Sequence, residues 1–442
     1  MKYLLSVLAA CLMAVTAWAA TDVKTDVKEV STPGGLSAWL VEDHSLPFVA
    51  LELGFQGGTS LDAPTRRGAI YLMTGLLQEG SGDLDAREFA RRADELAARF
   101  YFDSSDDSVT ISVRFLTEHR AQVLALLRDV LMQPRYDQDA VDRVRAQVLS
   151  GLRSAAYDPD DIAGRTLNKL LYGDHPYGVT GEGTLETVAS LTRDDMLDAH
   201  SAVFARDRVH VAAVGDITAE ALAGALDDLL GGLPETGEPM PAVTVPDIQG
   251  GTTVVDFQTP QSVVLFAQPG IEQDDPDFFA AFVMNTILGG DGFASRLMLE
   301  VRENRGLTYG IYTYLVLGDL AVSYLGGFSS SNARVAEAID VVRTEWERAA
   351  TEGFTEDEVA RAKTYLTGAY PLRFDGNGRI ASILVAMQEA DLPIDYIATR
   401  NDKVNAVTVA DVNRVAAELL QPELLQFVVV GQPEGLAAAT SN

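Results

Sequence analysis

The order of apolar and polar residues divides the chain into alternating strands and helices. Period-two alternation, as in Leu36-Ser-Ala-Trp-Leu-Val, predicts strands, and apolar residues at helical spacing predict amphipathic helices. In the first half, strands are predicted at 36–41, 48–55, 98–102, 108–115 and 209–214, and helices at 67–77, 86–96, 118–132, 138–156, 161–171, 192–203 and 218–230. The residues that follow carry a different pattern.

Prolines interrupt the chain at its midpoint. Residues 231–246 contain four prolines together with glycine and glutamate, a composition typical of a linker. After it, strands are predicted at 252–257, 262–267, 311–317, 320–327 and 425–430, and helices at 278–288, 294–303, 333–351, 356–366 and 409–420. The order of strands and helices therefore begins again after the linker.

The ends of the two halves match each other. Thr192 and Thr408 each precede a helix as its N-cap, and an apolar strand ending in glycine follows each helix. Their separation gives an internal repeat of roughly 216 residues. We expect two homologous α+β domains, at 20–230 and 247–442, each a sheet with helices packed on one face.

Composition excludes some classes of partner. The chain has 442 residues, 34 Lys+Arg against 64 Asp+Glu, and a formal net charge of −30. Phosphate binding requires a basic face, so nucleic acid and an anionic membrane surface are not expected partners. The negative charge favours solubility or an attraction for basic peptides, and composition alone leaves both open.

The N-terminus predicts export. Lys2 is followed by an apolar run at 4–15 and then by Ala17-Trp18-Ala19, the pattern of a signal peptide spanning 1–19. The only cysteine, Cys11, falls inside this segment, so the mature chain would have neither a disulfide nor a thiol nucleophile. Residues 8–11 fit a lipoprotein box, but the apolar run continues past Cys11, which argues against lipidation. We expect a periplasmic protein without a membrane span.

Three motifs carry a resemblance to a known family. They are Tyr172-Gly-Asp-His-Pro-Tyr-Gly, Gly181-Glu-Gly, and the long segment from Ser295 through Arg302 and Gly306 to Tyr309. Together with the strand order, they resemble the pitrilysin/insulinase-type (inverzincin) peptidases over nearly all of the mature chain. The resemblance implies two related domains that form one half of a clam-shell.

Catalytic members of that family bind zinc through H-x-x-E-H in the first long helix, plus a distant glutamate. Tyr71, Thr74 and Gly75 stand at the His, Glu and His positions of this motif. No acidic residue stands near 150–152, where the distant glutamate is expected. The resemblance thus implies that this chain binds no metal there. A metal site assembled from distant residues remains an alternative.

Other chemistry-bearing residues have simpler interpretations. The five histidines show no i, i+3 or i, i+4 pair, and His175 is interpreted as a turn residue. His210, in an apolar strand, is interpreted as a core or edge residue. Asp106-Asp107 and the acidic residues at 158–161 are interpreted as solvated loop clusters.

Arg302 and Tyr309 are the remaining candidates for a functional role. In the family, an Arg and a Tyr at these positions bind the substrate main chain and support the tetrahedral intermediate. A guanidinium is a permanent cation, and a phenol can donate to a developing oxyanion. The alternative is that Arg302 forms a surface ion pair and Tyr309 packs in the core.

The resemblance implies a division of labour between two chains. This chain would be the non-catalytic, substrate-binding subunit of a heterodimeric zinc metallopeptidase, supplying Arg302 and Tyr309 to a zinc-bearing partner. It would not be a peptidase on its own. The alternatives are a peptide-binding or scaffold pseudo-peptidase without a peptidase partner, an active enzyme with an unrecognised site, and a structural subunit of a membrane complex. Homodimerisation of the lone chain stays open.

Overall fold

The computed structural model describes residues 26–290, 292 and 294–436. They form one large mixed sheet in each half of the chain, with helices packed against it, and a small two-stranded sheet in the first half. The predicted signal segment at 1–19 lies outside the described residues.

The first half contains the larger sheet. Its six strands are β1 (Lys28–Ser31), β2 (Ser37–Glu42), β3 (Phe48–Gln56), β6 (Arg99–Ser104), β7 (Ser108–Leu116) and β8 (Val209–Gly215), and the short strands β4 (Gly80–Ser81) and β5 (Leu84–Asp85) form a separate hairpin. Its helices are α1 (Ala69–Leu76), α2 (Ala86–Glu95), α3 (Arg120–Met132), α4 (Gln138–Ala155), α5 (Pro159–Tyr172), α6 (Leu185–Ser190), α7 (Arg193–Val203) and α8 (Ala219–Leu230). The sheet has the order β1-β2-β8-β3-β7-β6, and only the β2–β8 pair is parallel.

The second half contains a five-stranded sheet. Its strands are β9 (Gly251–Asp256), β10 (Gln261–Pro269), β11 (Ile311–Leu317), β12 (Val322–Ser331) and β13 (Gln426–Gly431). Its α-helices are α9 (Phe278–Leu288), α10 (Val335–Glu352), α11 (Glu356–Ala369), α12 (Asn377–Glu389), α13 (Tyr396–Ala406) and α14 (Val409–Leu419), and Met298–Glu303 forms a π-helix. The sheet has the order β11-β12-β10-β13-β9, with only β13–β9 parallel.

The internal repeat is visible in both topology and capping. Apart from β1, the two sheets have the same order of strands, each with its first strand parallel to its last. Thr192 and Thr408 form reciprocal capping boxes with Asp195 and Asp411, in which each carboxylate accepts from the threonine N–H at 2.7 and 2.9 Å. The prediction of two homologous α+β domains is confirmed.

Each sheet buries one face against helices of its own half. In the second half, Trp346 of α10 is fully buried against Phe266 and Tyr324, with ring centroids 5.8 and 5.1 Å apart. Its indole N–H donates to Gln268 Oε1 at 2.7 Å. Because the indole N–H has a hydrogen-bond acceptor, the large side chain of Trp346 can fill the centre of the core without an unpaired polar atom.

The opposite face of each sheet is covered by a helix from the other half. Helix α5 packs Leu167 and Leu171 against the second sheet, where they meet Val428 and Val430. Helix α12 packs Ala381, Leu384 and Val385 against Ala50, Ala212 and Val214 of the first sheet. The sequence predicted helices on one face only. The second layer is absent from that prediction because it comes from the opposite half.

The segment 231–250 has no helix or strand, but its backbone is held by both halves. Thr244 N–H donates to Leu320 O at 2.8 Å, and Asp247 N–H donates to Leu171 O at 2.7 Å. The linker therefore runs along the junction of the halves.

Three parts of the helix prediction differ from the structure. The predicted helix at 294–303 is mainly a π-helix, Met298–Glu303. The unassigned stretch between 366 and 409 contains α12 and α13, and the unassigned stretch between 171 and 192 contains the short helix α6. Within the described ranges, no helix combines the length and the apolar character needed to cross a membrane.

Candidate functional site

The residues at the zinc-motif positions line a cleft of about 370 Å³ on the first half. Tyr71, Thr74 and Gly75 come from α1, and Gly151 of α4 faces the same space. Edge strand β6 contributes Phe102, Asp103 and Ser104. The structure therefore brings together the positions that the resemblance assigned to metal ligands, from two helices that are far apart in sequence.

The side chains in this cleft do not fit a zinc ion. The Thr74 hydroxyl donates to Ile70 O of its own helix at 2.8 Å, and two of the other positions are glycines. The pKa of Tyr71 is raised, first by burial and then by the charges of Glu182 and Asp103, so its phenol stays protonated at neutral pH. No group of three or more His, Cys, Asp or Glu residues with metal-binding geometry occurs among the described residues.

Close backbone contacts hold α1 against the 181–183 loop. Asp62 accepts hydrogen bonds from the N–H groups of Gly68 and Ile70 at 2.8 and 3.1 Å. Gly68 has a φ of +90°, and a side chain there would meet Glu182 O at 2.5 Å. A side chain at Gly183, whose φ is +83°, would meet Arg67 O at 2.3 Å. Glycine is therefore needed at 68 and at 183 for the contact that shapes one wall of the cleft.

Arg302 and Tyr309 lie outside this cleft. Arg302 is in the π-helix, and its Nη1 donates to Glu303 Oε1 at 2.8 Å. Tyr309 precedes β11 and is 88% exposed, so it is not packed in the core. Neither residue belongs to the lining of the cleft at Tyr71. In this chain the Arg/Tyr pair and the zinc-motif positions thus form separate surfaces.

The π-helix changes the presentation of Arg302 relative to an ordinary helix. Leu307 N–H donates to Val301 O at 2.9 Å, and Gly306, with a φ of +60°, turns the chain toward Tyr309. Short π-helical turns are frequent at functional sites, because the extra residue re-aims the side chains that follow. Sequence periodicity does not distinguish this turn from an α-helix.

The turn containing Asp106 and Asp107 is half-buried, contrary to the interpretation as a solvated cluster. Asp106 accepts from Thr59 Oγ1 at 2.9 Å, and Asp107 accepts from the hydroxyl of Tyr177. The same Tyr177 oxygen accepts from the N–H of Leu320 in the second half at 3.0 Å. One hydroxyl therefore connects two loops of the first half to the second half.

His175 is confirmed as a turn residue by its hydrogen bonds. Its Nδ1 accepts from the N–H of Tyr177 at 3.2 Å, and its Nε2 lies 3.0 Å from Ala242 O in the linker. His210 is half-buried in β8, an interior strand of the first sheet, and burial lowers its pKa, so the imidazole is uncharged at neutral pH.

An acidic cleft of about 580 Å³ lies where the halves meet. It is lined by carboxylates from both halves, namely Asp107, Glu272, Asp274, Asp319, Glu389 and Asp391. Burial, followed by neighbouring negative charges, raises the pKa of Asp319 to about 6 and that of Glu389 to about 7. Sequence reasoning missed this cluster, since its members come from four separate segments.

Comparison with known proteins extends the likeness over most of the chain. The family model described as Insulinase (Peptidase family M16) matches residues 38–184, and the model described as Peptidase M16 inactive domain matches residues 190–366. A Helicobacter pylori protein named Non-peptidase homolog YmxG is 26% identical over 97% of this chain and 98% of its own length. An uncharacterized zinc protease from Streptomyces coelicolor is 25% identical, covering 89% of this chain and 87% of its own length.

A solved structure shows the same likeness in three dimensions. The peptidase M16 inactive domain from Pseudomonas fluorescens superposes with a TM-score of 0.86 at 28% identity. The match covers 94% of this chain and 99% of that one.

Proposed function

The chain belongs to the insulinase (peptidase M16) family as a non-peptidase member, and we infer that it is the substrate-binding subunit of a heterodimeric zinc metallopeptidase. The observation that carries this inference is the cleft at α1, where Tyr71, Thr74 and Gly75 replace the ligands and the general base. Without these groups, this cleft lacks the side chains that would hold a metal and activate water on it. Zinc would reside in a homologous partner subunit.

The exposure of Tyr309 supports a role across the interface with that partner. A tyrosine that is 88% exposed gives little stability to its own chain, and its hydroxyl is open to a group brought by another molecule. Arg302 and Tyr309 would bind the main chain of a peptide and stabilise the oxyanion formed at the partner's zinc. Both would act in trans, because neither lines the cleft of this chain.

The charge of the chain supports peptides as the substrate class. A net charge of −30, with a carboxylate-lined cleft at the junction of the halves, attracts peptides that carry basic residues. The basic start, the apolar run and the Ala-Trp-Ala site at 17–19 support export to the periplasm. The proposed complex would therefore degrade peptides or unfolded segments outside the cytoplasm.

The test is peptide hydrolysis with zinc, using the chain alone, its zinc-bearing homologue alone, and the mixture. We expect turnover only in the mixture. Arg302→Ala and Tyr309→Phe should each lower kcat by about 10²-fold, the effect of removing one oxyanion donor, while gel filtration shows unchanged assembly. Arg305→Ala is the matched control, because Arg305 lies in the same segment and is also ion-paired, to Glu300.

Each other outcome contradicts a stated part of the proposal. Turnover within twofold of the wild type for Arg302→Ala would remove the assignment of that residue. Hydrolysis by the lone chain would overturn the loss of the catalytic site. No hydrolysis by the chain alone or by the mixture would favour a peptide-binding or scaffold protein without a peptidase partner.

A further inference from the structure

An aromatic cleft of about 340 Å³ lies beside the junction of the halves, away from Arg302 and Tyr309. Six rings line it: Phe278, Phe279, Phe282, Tyr370, Phe374 and Tyr396. The rings come from α9, from the turn after α11 and from α13, and Ile383 and Met387 of α12 add aliphatic surface. The cleft is open to solvent and suits one bulky apolar group.

Two arginines enter this apolar cleft. Arg400 is only 5% exposed, and its guanidinium carbon lies 4.5 Å from the ring centre of Tyr370 and 5.3 Å from that of Phe282. Its Nη1 donates to Leu366 O at 2.9 Å and to Asn401 Oδ1 at 3.0 Å. Arg373 lies at the solvent side of the cleft.

Neither arginine has a carboxylate partner among residues 26–290, 292 and 294–436. The ion pairs there include neither Arg373 nor Arg400. Burial lowers the pKa of Arg400 most, Tyr396 and Tyr370 act to raise it, and the like charge of Arg373 lowers it further. A buried cation without a counter-ion is costly, so an anion that enters the cleft would be stabilised there. In a chain with a net charge of −30 this is a local exception.

The cationic aromatic cleft adjoins the acidic cleft. The two share Gln273, Leu317, Ala386 and Ala390 in their linings. A ligand that extends from one to the other passes from two guanidinium groups to six carboxylates. An extended peptide advances about 3.3 Å per residue, so a few residues bridge neighbouring clefts.

We propose that the aromatic cleft binds the C-terminal residue of a peptide with an apolar last side chain and basic residues before it. The apolar side chain lies among the rings, the terminal carboxylate pairs with Arg400 and Arg373, and the basic side chains lie in the acidic cleft. A fatty acid shares the apolar group and the carboxylate, but it leaves the acidic cleft without a partner. The inference extends the proposed peptide-binding role to a second contact, and the lone chain is sufficient to test it.

The test is fluorescence anisotropy with the full chain and a fluorescein-labelled hexapeptide, Ala-Lys-Ala-Lys-Ala-Leu, that ends in a free carboxylate. We expect the C-terminal amide to bind at least tenfold more weakly, since it loses the charge-assisted hydrogen bonds to the arginines. A peptide with glutamates in place of both lysines should also bind at least tenfold more weakly. Decanoate should compete only weakly.

Arg373→Gln and Arg400→Gln should each raise the Kd at least tenfold for the free carboxylate and leave the amide unchanged. Arg361→Gln is the matched control, because Arg361 is exposed on α11 outside the cleft. If Arg400→Gln does not fold, Arg373→Gln still tests the proposal, because Arg373 is exposed. Equal binding of acid and amide, no effect of either variant, or displacement by decanoate with no preference for lysines would overturn the proposal. None of these results depends on the partner subunit.

Discussion

The hydroxyl of Tyr177 offers a quantitative test of how the halves are joined. It donates to Asp107 in the turn between β6 and β7 and accepts from the N–H of Leu320 at 3.0 Å. Tyr177 is 7% exposed and Leu320 is 6% exposed, so water cannot readily replace either bond. Tyr177→Phe removes the oxygen and leaves a half-buried carboxylate and a buried N–H without this partner.

The expected loss of stability follows from these two bonds. A bond to a charged acceptor contributes about 1.5–3 kcal/mol and a neutral one about 0.5–1.5 kcal/mol, so Tyr177→Phe should lower the free energy of unfolding by about 2–4 kcal/mol. Tyr172→Phe is the control. Its hydroxyl lies 3.5 Å from Ser323 Oγ, at the limit of a hydrogen bond, so we expect a loss below about 0.5 kcal/mol.

Urea denaturation followed by tryptophan fluorescence measures this loss in both halves. Trp39 lies in β2 of the first half, and Trp346 is fully buried in α10 of the second. Because the hydroxyl connects the halves, both tryptophans should report the same shift in midpoint, measured in Trp39→Phe and Trp346→Phe backgrounds. A loss no larger than that of Tyr172→Phe, or a shift seen by only one tryptophan, would refute the reasoning.

The acidic cleft and the zinc-motif positions lead to two further predictions. Burial and then the charges of nearby carboxylates raise the pKa of Glu389 from 4.5 to about 7. Between these two values the native state holds a proton that the unfolded state releases, so the free energy of unfolding falls as pH rises from 4.5 to about 7. Glu389→Gln should remove roughly 1–3 kcal/mol of that fall between pH 5 and pH 8 in urea titrations, and an unchanged pH profile would contradict the assignment. The second prediction restores the zinc motif with Tyr71→His, Thr74→Glu, Gly75→His and Gly151→Glu in one protein. It should contain about one zinc per chain by elemental analysis, because a side chain at Gly151 has open space. The same protein without Gly151→Glu should bind far less zinc.

Much of the fold follows from local sequence patterns. The alternating residues of β2 and the threonine caps at 192 and 408 specify their elements within a few neighbouring positions, and the structure places them as predicted. Helix α12 was not predicted, although Ala381, Leu384 and Val385 have helical spacing, because glycines at 376 and 378 break the pattern at its start.

The candidate sites also divide into those that a local motif places and those that depend on distant segments of the chain. Tyr71, Thr74 and Gly75 could be placed from one motif because they share a single helix. The environment of Arg400 and the burial of Asp107 depend on segments more than 25 residues away, and no local pattern encodes such contacts. The role of Arg302 and Tyr309 stays a prediction.

The exchange of helices between the halves has a consequence for the order in which the protein matures. A ribosome completes residues 20–230 long before residues 377–389, so Ala50, Ala212 and Val214 remain uncovered while the second half is made. A nascent first half therefore presents an apolar sheet face that chaperones can hold, and it reaches its final burial only when α12 arrives. A protease that cuts within 231–246 after this point would leave two fragments still interlocked through α5 and α12.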